Sequence, residues 1–408
     1  MHVFHIPSWY PCRHSKFSGI SCENLIRSVC NVKPEILNSV SLYQEYNYRW
    51  LLKQNFISEF FAYFKGPTDV SYVKESESLE FYIAPRSITY STRIGYNERQ
   101  LAYRMHLKNF KNCIKKSGLP DIIHAQVTNF GGYAAWKIAK EYNIPFLITE
   151  RFAPFPIPEF LKKGKLIPEM YMPMHNASCL VSVSPAFAKI ISKYVEREAI
   201  AIPNFLDEDF FKPSEEVYLD QDGVFKFSTL ALSYEPRKGV DTLIRAIRIL
   251  KSKGYSALFR IGGGREDNLF DSVKKLALEL DVTDYIEWFG KIDRKGVVEL
   301  MQKSDCFVLP SQSESFGTVY IEAIAAGKPF VATYCGGPES IVNENNGILV
   351  PVDNYTELAE ALMFMIDNKA KYNKDVIRKD FLDRFSKSVV VGKYVSVYSD
   401  LINKSKNN

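Results

Sequence analysis

Two carboxylates eight positions apart, Glu314 and Glu322, stand where an apolar run gives way to a helical pattern. The run Asp305-Cys-Phe-Val-Leu309 has strand length and stops at Pro310-Ser311. Thr318 to Ala326 then reads as a helix ended by Gly327, with Pro329 beyond it, and Phe330-Val-Ala-Thr333 returns as a buried strand. In a sheet built from such units, ligands bind outside the carboxyl ends of the strands. The spacing therefore predicts Glu314 in a loop over the ligand crevice and Glu322 about one turn into the helix. The N–H groups near Phe316 and Gly317 face the same space. Two short acceptors on one wall suit hydroxyl groups. The plainer reading makes Glu314 a solvated loop residue and Glu322 a charge on a helix surface.

A second corner of the same kind lies upstream. Glu235-Pro-Arg-Lys-Gly239 is followed by Val240, Leu243, Ile244, Ile247 and Leu250 at helical spacing. This places Arg237 and Lys238 at the start of a helix, where cations and backbone N–H groups can meet a diphosphate or simply be solvated. A third turn, Ile261-Gly-Gly-Gly-Arg265, follows the apolar run from Ala257 and precedes an amphipathic stretch, Leu269 to Leu280. Its glycines do not fit a dinucleotide fingerprint, because the spacing differs and no acidic residue follows at the required distance.

The elements that must position these residues are those of an ordinary globular chain. Its 408 residues predict two or three domains, and 46% hydrophobic with 24% charged residues is normal usage. Apolar runs stay below the length needed to span a bilayer, and no signal sequence is expected at the start. Seven cysteines without metal-ligand spacing suggest a reducing cytoplasm. Residues 1 to 203 hold 25 Lys/Arg against 16 Asp/Glu, and the remainder 27 against 31, giving +9 and −4, which sum to the +5 of the whole chain. All six histidines are in the basic half. That half suits an anionic membrane face or an anionic acceptor; nucleic acid has the right sign but no recognisable module accompanies it. The aromatic stretch Tyr43 to Phe64, with Arg49, Lys53 and Lys65 among its rings, reads as an interfacial helix, a core element or a lid. Lys162-Lys-Gly-Lys165 is a second candidate for headgroups or acceptor phosphate.

The order Pro310-Ser311, Glu314, Phe316-Gly317, Glu322-Ala323, Ala326-Gly327-Lys328-Pro329, then Gly336-Gly337-Pro338-Glu339, Gly347 and Asp353, resembles the signature of retaining glycosyltransferases of the GT-B fold, family 4. The resemblance implies an α/β architecture of two Rossmann-like domains facing across a cleft. Residues 1–203 would bind the acceptor and 204–380 the nucleotide sugar, while 381–408 would form a helix returning to the first domain. It implies that Glu314 contacts the transferred sugar and Glu322 the ribose. Lys238 and Arg237 would face the diphosphate without a metal or other cofactor. Ser315, Phe316, Gly317, Gly263, Gly264, Lys291 and Ile292 would line the donor.

In the first half, Trp9-Tyr10-Pro11 and Gly19 look like the family's acceptor and phosphate loop, and Asp121-Ile-Ile-His124-Ala-Gln126 like a strand end carrying His in place. Three departures stand out: Gln126 replaces a second His, Arg151 stands where many members have a cleft His, and Leu232 and Ser233 occupy positions where an Arg is common. His124 is then the nearest remaining proton-transfer candidate. Asp207-Glu-Asp209 resembles a metal motif of transferases with a different fold and is not assigned as one. The expected partners are a nucleoside-diphosphate sugar, a saccharide or lipid-linked acceptor and an anionic membrane surface, with no nucleic acid. The expected location is the cytoplasm, peripheral on the inner face of the membrane. Alternatives are a non-catalytic sugar-nucleotide-binding partner of another transferase, or a GT-B sugar-nucleotide epimerase.

Overall fold

The computed structural model describes residues 1–11, 19–47, 69–89, 98–214, 223–231, 233–264 and 267–407, with the side chains of 44–47 and 86–89 excluded. Leu232, Arg265 and the aromatic stretch beyond residue 47 lie outside the described residues. The chain divides into two compact units. The first holds Met1–Val183, Ala188–Ile202 and Val391–Asn408, and the second holds Ser184–Phe187 and Pro203–Val390. The expected break at residue 203 thus falls one residue from the observed one. The return comes at 391 rather than 381, because Phe381 and Phe385 are buried in the second unit and the helical stretch is broken at Ser386 into Lys374–Phe385 and Lys387–Lys406.

The strands of the first unit are β1 (His2–Pro7), β2 (Leu37–Asn47), β3 (Ser71–Ser76), β4 (Leu79–Thr89), β5 (Ile122–Gln126), β6 (Phe146–Glu150), β7 (Leu161–Lys162), β8 (Lys165–Leu166), β9 (Cys179–Ser182) and β10 (Ile200–Ala201). Eight of them form one sheet in the order β10-β9-β6-β5-β1-β2-β4-β3, parallel except for the β3–β4 pair. β1, β5 and β6 are buried at every position, as expected for parallel strands covered on both faces. β2 contains Tyr43, so the aromatic stretch begins as a strand and not as the expected helix; Val40 and Leu42 before it alternate with Ser39 and Ser41 at strand period.

The second unit contains β11 (Phe225–Leu230), β12 (Ala257–Gly262), β13 (Ile286–Phe289), β14 (Cys306–Val308), β15 (Phe330–Thr333) and β16 (Gly347–Val350). They form one parallel sheet in the order β13-β12-β11-β14-β15-β16. The order reverses between β11 and β14, so their carboxyl ends diverge into loops that leave a crevice. The helix Val240–Ser252 follows its sequence pattern: Val240, Leu243, Ile244, Ile247 and Leu250 are buried against the sheet, and Arg245 and Arg248 are exposed. In the first unit the corresponding reversal lies between β1 and β5.

Candidate active site

At the reversal in the second unit, two corners distant in sequence are clamped together. Gly239 begins the helix Val240–Ser252 with φ 67°, and a Cβ added there would lie 1.9 Å from the carbonyl oxygen of Pro310. Only glycine fits such an approach. The Gln312 amide donates to the Arg237 carbonyl at 2.7 Å, a second tie between the corners. The clamp brings Lys238 to Glu314. The ammonium donates to Oε1 at 2.6 Å, and the same oxygen accepts from Ser311 Oγ at 2.9 Å. Lys238 and Glu314 side chains are 16% and 14% exposed, so the pair is sheltered yet reachable.

The loop carrying Glu314 is fixed from both sides. Its amide donates to the Cys335 carbonyl at 3.1 Å, Ser184 Oγ donates to the Ser315 carbonyl at 2.6 Å, and Thr333 Oγ1 donates to the Ser311 carbonyl. Gly317, with φ 87°, starts the helix Thr318–Ala325, from which Tyr320 donates to the Leu309 carbonyl at 2.8 Å. The Phe316 ring is buried and packs 5.9 Å from Phe385, which leaves the backbone of that residue as the part available to a ligand.

Glu322 lies in that helix as the eight-residue spacing predicts. Part of its surface remains open, yet enclosure by the protein pushes its carboxyl up to about 7, against the opposing pull of Arg294. The plainer reading of Glu322 as a charge on a helix surface is therefore not met. Arg294 was not singled out from the sequence; Asp293 marks its helix start by accepting from the Gly296 amide at 2.8 Å, but no spacing connects it to Glu322.

The remaining residues expected to line the donor occupy the same carboxyl edge of the sheet. Gly263 and Gly264 follow β12 and pack tightly on Leu230 and on the Tyr234 ring. Exposed Lys291 and half-buried Ile292 follow β13. Arg237 is exposed and donates to Glu235 Oε2 at 2.6 Å, so it is not in the Lys238–Glu314 pair. The acidic triplet after the crossover is engaged locally. Asp207 accepts from the Asp209 and Phe210 amides at 3.1 and 3.3 Å and from Lys387 Nζ at 3.3 Å, and Glu208 accepts from the Lys387 amide at 3.0 Å.

In the first unit, Gly19 caps the helix Ile20–Val32 against the Trp9 carbonyl, and Arg151 Nη1 donates to the Ser21 carbonyl at 3.3 Å. The loop marker and Arg151 thus belong to one corner. Beside them is a residue missed in the sequence, Glu150. Its buried carboxylate accepts from the Thr128, Arg151 and Phe152 amides at 2.9, 3.0 and 2.9 Å. Burial raises its pKa while those bonds oppose the rise. Gln126 is also buried, with its Nε2 3.4 Å from the Cys22 carbonyl.

His124 corrects the expectation of a proton-transfer role. It has no exposed surface, Nδ1 is hydrogen-bonded to Tyr398 at 2.7 Å, Nε2 to Thr149 at 2.9 Å, and its ring stacks on Tyr394. Burial holds its pKa well below the usual imidazole value. This is a core histidine that joins the sheet to the helix Lys387–Lys406, with neither nitrogen presented to a ligand.

The two parallel-sheet units have the GT-B fold, and comparison with known proteins agrees. Residues 226–380 match the family model "Glycosyl transferases group 1". An uncharacterized glycosyltransferase of Methanocaldococcus jannaschii is 26% identical over 349 residues, covering 81% of this chain and 92% of that protein. Phosphatidyl-myo-inositol mannosyltransferase of Mycobacterium tuberculosis is 28% identical over 243 residues, 55% of this chain and 61% of that one. Among solved structures, Anabaena HepE in complex with UDP superposes with a TM-score of 0.69 at 17% identity, covering 98% of this chain and 100% of that one. Residues 226–380 are thus similar to the group 1 glycosyltransferases, and most of the chain is similar, at 26% identity, to one glycosyltransferase.

Proposed function

We propose that the protein is a retaining, metal-independent hexosyltransferase that moves a sugar from a nucleoside-diphosphate sugar to a saccharide or lipid-linked acceptor. The observation that carries this reading is the half-sheltered Lys238–Glu314 pair at the strand-order reversal of the matched domain. A fixed ammonium in a partly dry site stabilises a departing diphosphate better than a mobile one, since it needs no reorganisation as charge develops. Glu314 then accepts from a sugar hydroxyl and Glu322 from the ribose. Arg237, next to Lys238 in the chain and exposed, adds a second cation once the diphosphate draws it from Glu235. The bond from the anomeric carbon to the diphosphate oxygen breaks, the acceptor oxygen bonds to that carbon on the same face, and its proton passes to the leaving phosphate oxygen.

Metal independence is supported by the use of Lys238 as the diphosphate cation and by Asp207 and Glu208 being occupied with backbone amides and Lys387. The UDP bound to HepE, a relative in fold, and the phosphatidyl-myo-inositol in the name of the mycobacterial relative support the substrate classes. Among the described residues no helix is long and apolar enough to cross a membrane. Three exposed lysines, Lys162, Lys163 and Lys165, stand on the β7–β8 hairpin and suit a peripheral position on an anionic cytoplasmic leaflet.

The test is a panel of UDP, GDP and ADP sugars followed by thermal shift and slow donor hydrolysis, with and without EDTA. Stabilisation by one nucleotide class, indifferent to EDTA and lost in Lys238→Ala and Glu322→Ala, is expected. Absence of any nucleotide response would overturn the donor site and favour a non-catalytic partner. Configuration is read by NMR of the product anomer, and an inverted product would refute retention.

A further inference from the structure

At the end of the first unit's sheet opposite to the ligand-binding edge, three side chains from three elements converge. They are His2, the first residue of β1; Glu80 on β4; and Cys113 on the helix Glu98–Ser117. All three are buried, and one ligand atom from each lies within 4.8 Å of the others. At the hub is the Ser39 hydroxyl on β2, hydrogen-bonded to His2 Nε2 at 2.7 Å and to Glu80 Oε1, and 3.6 Å from Cys113 Sγ.

We propose that His2, Glu80 and Cys113 are three ligands of a structural zinc site, with the Ser39 hydroxyl, which bridges His2 and Glu80, turning aside to admit the ion. Nitrogen, sulfur and carboxylate oxygen are the donors that zinc takes in tetrahedral sites. With Zn–N near ~2.05 Å and Zn–S near ~2.3 Å, tetrahedral geometry separates the two donor atoms by about 3.6 Å. The observed His2 Nε2 to Cys113 Sγ distance is 3.7 Å. Charge also balances: a thiolate and a carboxylate neutralise a divalent cation, which is what a site without solvent requires. The carboxylate already has the outer bonds that orient such a ligand, from Tyr82 at 3.1 Å, Ser117 at 2.8 Å and Tyr72 at 3.1 Å. Sequence spacing could not reveal this site, because its ligands are brought together by the register Ser39↔Glu80 of β2 and β4 and by a helix packed on those strands.

The test uses the full chain with a C-terminal tag free of histidine, stripped with EDTA and dialysed. Titration with Co2+ under anaerobic conditions should produce a thiolate-to-cobalt charge-transfer band that saturates at about one equivalent. The band should be lost in Cys113→Ala, and Zn2+ should bleach it. His2→Gln should shift the titration midpoint at least about tenfold and serves if Cys113→Ala fails to fold. Zinc alone should raise the melting temperature of the wild type. No band in the wild type, or a band unchanged in Cys113→Ala or in His2→Gln, would overturn the site.

Discussion

The two strand-order reversals have the same topology and opposite fates for their polar groups. In the second unit, Lys238 and Glu314 face each other from two loops and remain partly open, and Glu322 is held in a partly enclosed niche that opposes its charge. In the first unit, Glu150 is tied to three backbone amides, Gln126 is buried and both nitrogens of His124 are occupied. A polar group whose bonds are completed within the protein rigidifies the fold, whereas one left incomplete is available to a ligand. The criterion supports the proposed donor chemistry of the second unit, while the first keeps exceptions at the corner of Gly19 and Arg151, where Gln126 Oε1, Thr128 Oγ1 and Arg151 Nε are buried without a hydrogen-bond partner.

The largest effect that could break this contrast is expected at Lys238. Lys238→Ala should lower kcat by roughly 10²–10³-fold, as for removal of a preorganised electrostatic donor, with the fold retained by circular dichroism. A loss below tenfold would leave the open pair without a catalytic role. Next is Gly239→Ala, in which the new methyl group meets the Pro310 carbonyl. It should cost about 2–4 kcal/mol in chemical denaturation and weaken nucleotide binding in the surviving folded fraction. A variant of wild-type stability and affinity would show that the clamp is dispensable.

His124→Phe tests the closed side of the comparison. It removes the imidazole partner of the Tyr398 hydroxyl and leaves Thr149 with only its 3.4 Å bond to the Tyr394 hydroxyl, so about 1–3 kcal/mol of stability should be lost while kcat changes by less than about threefold. A large fall in kcat with little loss of stability would return His124 to the catalytic residues. The smallest effect is the pH dependence of Glu322. Its folded-state pKa, about 7 against an ordinary 4.5, is raised, so the stabilisation present when the carboxyl is neutral is complete below about 4.5 and lost as pH rises through 7. Glu322→Gln should therefore gain stability over wild type across that window, on the order of 1 kcal/mol, levelling off above it. Nucleotide affinity of the wild type should rise with pH through 7 as the ionised carboxylate accepts from the ribose, and Glu322→Gln should flatten that rise. Parallel profiles for the two proteins would exclude Glu322 as the titrating group.

The legibility of the sequence follows the same division. Glu314, Gly317 and Glu322 are spaced within one loop and one helix, and Lys238 and Gly239 within one turn, so local patterns located them even though the pair spans residues 238 and 314. The fold class was legible for a similar reason, since buried parallel strands appear as short apolar runs between helices. His124 was misleading because its partners, Thr149 and Tyr398, are 25 and 274 positions away, and no local pattern records whether a strand-end imidazole is satisfied. Tyr43 was drawn into a helical reading by the rings that follow it, although Ser39 to Leu42 already alternate as a strand. Glu150 has nothing beside it in sequence that announces three amides folding back on its carboxylate.

The contact between Gly239 and the Pro310 carbonyl also bears on redesign. With no free volume between the two corners, a new loop grafted at 310–317 to accept another donor sugar would be forced onto a turn shaped for the old one. Residues 235–239 and 310–317 therefore form a single exchangeable cassette, and libraries that vary one segment alone should be dominated by misfits.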